Sequence, residues 1–311
     1  HGRPDFGLRP RSVSDGRLRT PSWDAEGVVG MAETEHPDAL ASTARWTASV
    51  RAIENTRGDR LFEDPWAGLL AGPEGAAWIG QRTTEGVVPI VLRTRFFDDF
   101  LQRISAQDSI RQVVLMAAGL DTRAFRLAWP PGTRIYELDR SPVLRYKESV
   151  LSSAGARPAC WREAVAADLT TAWPAALSEA GFSLQEPSGW LLEGFLFYLP
   201  VGVLTRLLEE VAALAAPGSW LGFDIINSTM LDSPLTRGWI EMQARSGAPW
   251  IGTLDDPEGF LAARGWQATL SQAGAEDANH GRWPFPVLPI RMPGVPHNWF
   301  VVARKGASPP P

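Results

Sequence analysis

VVLMAAGLDTRAFRL, residues 113–127, runs from four apolar residues into Ala117, Ala118 and Gly119 and then into a segment that can continue as a helix. An apolar run without alternation, bounded by small residues, reads as a strand of a parallel sheet covered on both faces. In an open α/β sheet, ligands bind beyond the carboxyl ends of the strands at the topological switch point, and small residues there let a ligand approach the backbone. A single glycine after a strand is also an ordinary β-to-α turn, so this stretch alone leaves cofactor binding and a plain turn both open.

Downstream, short apolar or β-branched runs alternate with helical stretches, the pattern of a doubly wound α/β domain. Strands are expected at 112–116, 134–138, 161–166, 190–192, 220–225, 267–270 and 298–303, with helices at 143–152, 171–180, 201–216 and 257–264. Residues 227–254, with Met230, Leu231, Trp239, Ile240 and Met242, interrupt the alternation after the fifth strand and read as an inserted helical lid. Upstream the chain is helical. DALASTARWTASVRAIENTR (38–57) has helical spacing and stops at Arg57-Gly58, and a second helix is expected over 89–105. The expected organisation is an arm (1–37), a helical cap (38–110), a seven-stranded, mostly parallel core (111–304) carrying the lid, and a tail (305–311) that holds the only low-complexity stretch, SPPP.

Acidic residues outnumber basic ones by 35 to 30, and no basic block stands out, which argues against a nucleic-acid partner. Cys160 is the only cysteine, so no internal disulfide or thiolate metal cluster is available; a cytoplasmic setting and no metal are expected. The longest apolar run, 190–204, is broken by Glu193 and Pro200 and is too short to span a bilayer. Fourteen tryptophans are scattered along the chain. They are core fillers or, outside the sheet, walls of an aromatic pocket.

Acidic residues close three successive strands. Asp139 ends RIYELD twenty residues after Gly119, where a carboxylate accepts hydrogen bonds from ribose hydroxyls. That placement suits dinucleotides and adenosylmethionine alike. A dinucleotide, however, wants G-x-G-x-x-G for its pyrophosphate, and here Asp121 and Thr122 follow A-A-G-L. Adenosylmethionine carries no phosphate, and its sulfonium and α-amino groups tolerate carboxylates, so the residues favour the methyl donor. Asp168, closing the third strand, is placed for an adenine amino group. Glu193 interrupts the apolar run WLLEGFLFYLP (190–200), and a buried carboxylate needs a partner. A bound cationic group and an arginine elsewhere in the chain are both candidates.

Taken together, TARWTASVRAIE, LFEDPWA, LRTRFFDDFL, AAGLDTRAFRL, YELD, AADL, EGFLFYLP and DPEGFLAARGW resemble the leucine carboxyl methyltransferase family over about residues 38–304, including its bacterial branch of tetracenomycin-type polyketide carboxyl methyltransferases. The resemblance implies a Rossmann-like class I fold and S-adenosyl-L-methionine as cofactor. It implies that Arg93, with Arg95 as near competitor, holds the donor's carboxylate, a task a guanidinium performs with two parallel hydrogen bonds. By the same resemblance Gly119 packs against the methionine part, Asp139 takes the ribose hydroxyls, Asp168 and Leu169 address adenine, and Glu193 approaches the amino group. The family often has Gly-x-Gly at the end of the first strand; this chain has Ala117 in the first position.

Methyl transfer from a sulfonium is an in-line displacement that requires alignment and exclusion of water. A carboxylate acceptor needs no base, whereas a phenol is helped by one, for which His280, His297 and Tyr198 are candidates. The front helices around Trp46 and the lid are expected to enclose a small aromatic or polyketide-like acceptor. A protein C-terminal carboxyl methyltransferase, a nicotinamide-dependent oxidoreductase and an inactive adenosylmethionine-binding module are the rival readings.

Overall fold

The alternating segments after residue 111 form a single seven-stranded sheet in a computed structural model, which describes residues 39–79 and 84–306. The expected arm (1–37), with Trp23, His1 and His36, and the proline-rich tail past residue 306 lie outside the described residues. Three helices come first: α1 (Ala39–Asn55), α2 (Ala67–Ile79) and α3 (Thr84–Ala106). The core then runs β1 (Gln112–Met116), α4 (Arg123–Arg126), β2 (Arg134–Asp139), α5 (Ser141–Ser153), β3 (Trp161–Ala166), α6 (Trp173–Glu179), β4 (Ser188–Leu192), α7 (Val201–Leu214) and β5 (Trp220–Ile226). After β5 come the two short lid helices α8 (Thr229–Asp232) and α9 (Arg237–Arg245), then α10 (Pro257–Ala262), β6 (Trp266–Gln272) and β7 (Asn298–Lys305).

The strand order is β3-β2-β1-β4-β5-β7-β6. All pairs are parallel except those of β7, which is antiparallel to β5 and β6. The chain leaves β1 toward β2 and β3 and returns to β4 on the other side, so the switch point lies between β1 and β4, where a ligand crevice is expected. Most element ends lie within one or two residues of the sequence reading, and two of the shifts run against local propensity. Helix α3 starts five residues before Pro89, which sits in its second turn. Strand β4 takes in Ser188 and Gly189, residues of weak strand propensity that pair with Gln112 and Val113 of β1.

Each sheet face is buried. Tyr136, Trp190 and Phe223 pack under Trp173 of α6 and Leu204, Leu207 and Leu208 of α7. On the other face Phe97, Phe100, Leu101 and Ile104 of α3 cover Val113, Leu115, Ile135 and Leu191. Two glycines allow α3 to lie this close: a Cβ on Gly222 of β5 would stand 2.7 Å from the Phe100 ring, and one on Gly189 2.6 Å from Ile104. No helix among the described residues is long and apolar enough to cross a membrane. Gly222→Ala is expected to cost about 1–3 kcal/mol by overpacking; urea unfolding should show a lower midpoint at an unchanged slope.

Candidate active site

Beyond β1 the backbone enters the left-handed region twice, at Ala117 (φ +51°) and Gly119 (φ +48°). Glycine adopts this conformation freely, whereas alanine there is strained. Asp139, at the end of β2, fastens the turn: its Oδ2 accepts the Gly119 amide at 2.7 Å and its Oδ1 the Arg140 amide at 2.7 Å. Burial pushes this carboxyl up, against the pull of those two amides. Each oxygen keeps a second lone pair for an incoming hydroxyl.

A chain of buried ion pairs lies behind the turn. Asp64, fully buried, accepts from Arg51 Nε at 2.8 Å and from the Thr122 hydroxyl at 2.7 Å, while Arg51 Nη2 reaches the Leu120 carbonyl at 2.6 Å. Asp98 on α3 receives two bonds from Arg126 (2.6 and 2.7 Å) and one from Arg123 Nε (2.6 Å). Arg123 also contacts Asp121 and stands 2.7 Å from Glu193 Oε2. Arg93 donates from Nε to Glu193 Oε1 at 3.0 Å and from Nη1 to Asp224 Oδ2 at 2.8 Å, and Asp224 in turn accepts the Gly194 amide at 2.6 Å. A Cβ on Gly194 (φ +67°) would come within 2.8 Å of the Arg93 guanidinium, so this contact requires glycine.

Charge effects follow from these contacts. Burial opposes the ionisation of Glu193, but Arg123 and then Arg93 overcome it and hold its carboxyl below the ordinary value. Asp121 is likewise held at about 2, against burial, by Arg123 and more weakly by Lys147. For Asp224 burial prevails over Arg93 and the carboxyl is raised. The chain's own arginines are therefore the partners of Glu193. Both Glu193 oxygens face a guanidinium, Oε1 that of Arg93 and Oε2 that of Arg123.

Arg93, Ala117, Gly119, Asp139, Asp168, Leu169 and Glu193 all line one cavity of about 340 Å³ at the carboxyl ends of the strands. Asp168 is exposed and turns its Oδ1 to the amide and hydroxyl of Thr170 (2.8 and 2.7 Å), beside buried Leu169. Arg95 points away, to Asp99 and the Leu61 carbonyl, so Arg93 is the arginine of the pair that faces the cavity.

A second cavity of about 390 Å³ adjoins the first, and the two share Thr43, Thr47, Ile90, Arg93, Gly194 and Tyr198. Its walls include Trp46, Trp239, Trp250, Trp283, Phe197 and Phe300. The lid contributes Met230, Thr236, Trp239, Gln243 and Trp250. The opposite contribution, from the long β6–β7 connection, is not anticipated from sequence; it supplies Trp283, Pro286, Val287, Leu288 and Pro296.

The three candidate bases have different fates. His280 is exposed, has φ +50°, and lines neither cavity; the Glu276–Ala278 turn carries it to the surface, which removes it as a base. His297 lines the second cavity, but its Nδ1 lies 3.2 Å from Gln272 Oε1 and its Nε2 3.1 Å from the Met292 carbonyl, with the ring stacked on Trp299. Both nitrogens are engaged in structure. Tyr198 stands at the seam between the cavities, and burial pushes its phenol up, with Trp250 and Arg93 pulling the other way. It is suited to donate a proton bond rather than to take a proton.

The family model described as leucine carboxyl methyltransferase matches residues 44–212. The chain belongs to this family. A Streptomyces coelicolor protein named for S-adenosyl-L-methionine-dependent methyl transfer is 37% identical over 285 residues, covering 86% of this chain and 96% of its own. A similarly named Frankia alni protein is 38% identical and covers 79% and 89%. A solved methyltransferase structure from Thermobifida fusca superposes with a TM-score of 0.57 at 18% identity, covering 85% of this chain and 94% of its own, and so shares the fold. The protein is an S-adenosyl-L-methionine-dependent methyltransferase with a Rossmann-like core.

Two measurements check this geometry. Ala117→Gly should relieve the left-handed strain and raise stability by about 0.5–1 kcal/mol, read as a higher urea midpoint. Asp121 sits at about 2 when folded, below the value of roughly 3.9 for an unfolded aspartate. Its stabilisation is therefore complete above pH of about 4 and is lost as pH falls through about 2. Between those pH values the unfolding midpoint of the wild type should fall more steeply than that of Asp121→Asn.

Proposed function

We propose that this enzyme methylates an oxygen of a small acceptor seated in the aromatic cavity, with a carboxylate as the favoured acceptor group and a methyl ester as product. The observation that carries this reading is the seam: the cavity holding the strand-end acids opens on the tryptophan-walled cavity at Arg93, Gly194 and Tyr198. S-adenosyl-L-methionine would supply an electrophilic methyl group that passes in line to the acceptor oxygen as its bond to sulfur breaks, with a neutral thioether as the leaving group.

The chain's own residues do the positioning. Asp139 accepts the ribose hydroxyls while fixing the Gly119 turn, and Asp168 with Leu169 flanks the adenine. Glu193 addresses the amino group of the methyl donor. The Arg93 guanidinium, already oriented by Glu193 and Asp224, faces the donor's carboxylate. Within the ion-pair chain the carboxylates Asp64, Asp98, Asp121, Glu193 and Asp224 outnumber Arg51, Arg93, Arg123 and Arg126, so a cationic sulfonium is electrostatically tolerated there.

A carboxylate acceptor is favoured for two reasons. It is ionised already, and among the described residues lining the second cavity there is no Asp, Glu or Lys to act as base, while His297 is held by neighbours. The family's description names carboxyl transfer as well.

Titration calorimetry should show micromolar binding of S-adenosyl-L-methionine, weakened about 10- to 100-fold in Asp139→Asn, as expected for loss of a charge-assisted hydrogen bond. Mass spectrometry on a panel of aromatic carboxylic acids and matched phenols should find base-labile methyl esters. Products formed only from the phenols would overturn the carboxylate assignment.

A further inference from the structure

The stretch WPFPVLPIRMPGVPHNW (283–299) is absorbed neither by the cofactor site nor by the sheet. Between Trp283 and His297 it holds five prolines, at 284, 286, 289, 293 and 296, and no helix or strand. Proline offers no N–H, so this strap cannot join a ladder. It is nevertheless held, and by side chains. Gln272 Nε2 donates to the Leu288 carbonyl (2.6 Å), Trp299 Nε1 to the Ile290 carbonyl (3.1 Å), and His297 Nε2 lies 3.1 Å from the Met292 carbonyl. Asn227 Nδ2 fastens the Val295 carbonyl at 2.9 Å. Every second carbonyl from 288 to 292 is thus fixed toward the ends of β6 and β7.

This fixation keeps an apolar wall in place that folding alone does not bury. Val287 and Leu288 line the aromatic cavity and are at the same time 43% and 42% exposed; Phe285, packed on Trp283, is 40% exposed and Met292 43%. On the lid, Trp250 lines the cavity and its neighbour Ile251 is 45% exposed. Exposed apolar side chains gathered beside a cavity suit a ligand that carries apolar surface of its own. The cavity is therefore graded: Arg93, the only charged residue lining it among the described residues, stands at the inner seam, and the outer wall passes in apolar side chains to the surface.

We propose that the physiological acceptor is an amphiphilic carboxylic acid whose apolar chain leaves the aromatic cavity along the 284–296 strap past Val287 and Leu288. The inference rests on the reading of the second cavity as the acceptor site. A peptide C-terminus fits this exit poorly. Its backbone would need hydrogen-bond partners, whereas five strap residues have no N–H and the carbonyls of Leu288, Ile290, Met292 and Val295 are already engaged.

The test is steady-state methylation of para-alkylbenzoates, from methyl to dodecyl, below their aggregation limits, with the cofactor dissociation constant measured in parallel by calorimetry. KM should fall by about twofold per methylene, against about fourfold for full burial, with little change in kcat. In Val287→Asp and Leu288→Asp the KM series should flatten and the dodecyl compound lose tenfold or more, while cofactor affinity, which also reports folding, is retained. Methylation of these acids with KM independent of tail length overturns the inference and leaves the proposed function standing. Cofactor binding without methylation of any acid overturns the proposed function itself. Methylation confined to peptides with a free C-terminus, or dependent on vesicles, overturns the acceptor class named here.

Discussion

The buried run of ion pairs from Asp64 through Asp98 and Arg123 to Glu193 and Arg93 is the constraint on which the rest of the site depends. It joins the front helices to the β1–α4 turn and to the ends of β4 and β5, because each charge removed from water must be met by another. Such pairs are poor sources of net stability, since desolvation consumes most of the Coulombic gain. Their value here is geometric. Arg123 is nearly fully buried and bonded on three sides, so the carboxylate of Glu193 cannot swing away from the cavity. An active site that holds its charged groups in place before the ligand arrives loses little in ordering them afterwards.

This arrangement explains why part of the site was legible in the sequence. Strand-end acids follow from topology: once β1, β2 and β4 are recognised as parallel neighbours, Gly119, Asp139 and Glu193 must emerge at the same edge. The fold itself was legible for the same reason, because apolar runs separated by crossover helices admit few alternatives. The boundary misses, at Pro89 and at Ser188-Gly189, fall where local propensity is overridden by packing. Gly189, a poor strand residue in isolation, is needed because Ile104 occupies the space a side chain would take.

Other parts were hidden for identifiable reasons. Arg123 lies within the very stretch that decides the fold, yet nothing local distinguishes it from Arg126; its role comes from Asp98 and Glu193, which are distant in sequence. Glu193 illustrates the same point, since burial alone predicts a partner without saying which. The partners turned out to be two arginines of the chain. His297 is a candidate base in the sequence because a phenol acceptor would be helped by one, but its ring nitrogens meet Gln272 and a carbonyl of the strap. The strap is not legible in the sequence because a proline-rich run lacks the periodicity that marks helices and strands.

The two halves of the site are consequently built on different physics. The half proposed for the donor is framed by buried ion pairs from residues within 44–212, the span of the family model, with Asp224 as the ion-pair partner outside it. The cavity proposed for the acceptor takes its outer walls from residues 230–250 of the lid and 283–296 of the strap, both beyond that span. Ionic frames tolerate little change, because removing one partner strands another charge in a low-dielectric interior. Apolar walls on connecting segments tolerate exchange of one large side chain for another at modest cost. Family membership therefore determines the donor chemistry, while the cavity proposed for the acceptor is walled by the lid and the strap, which lie outside the span of the family model.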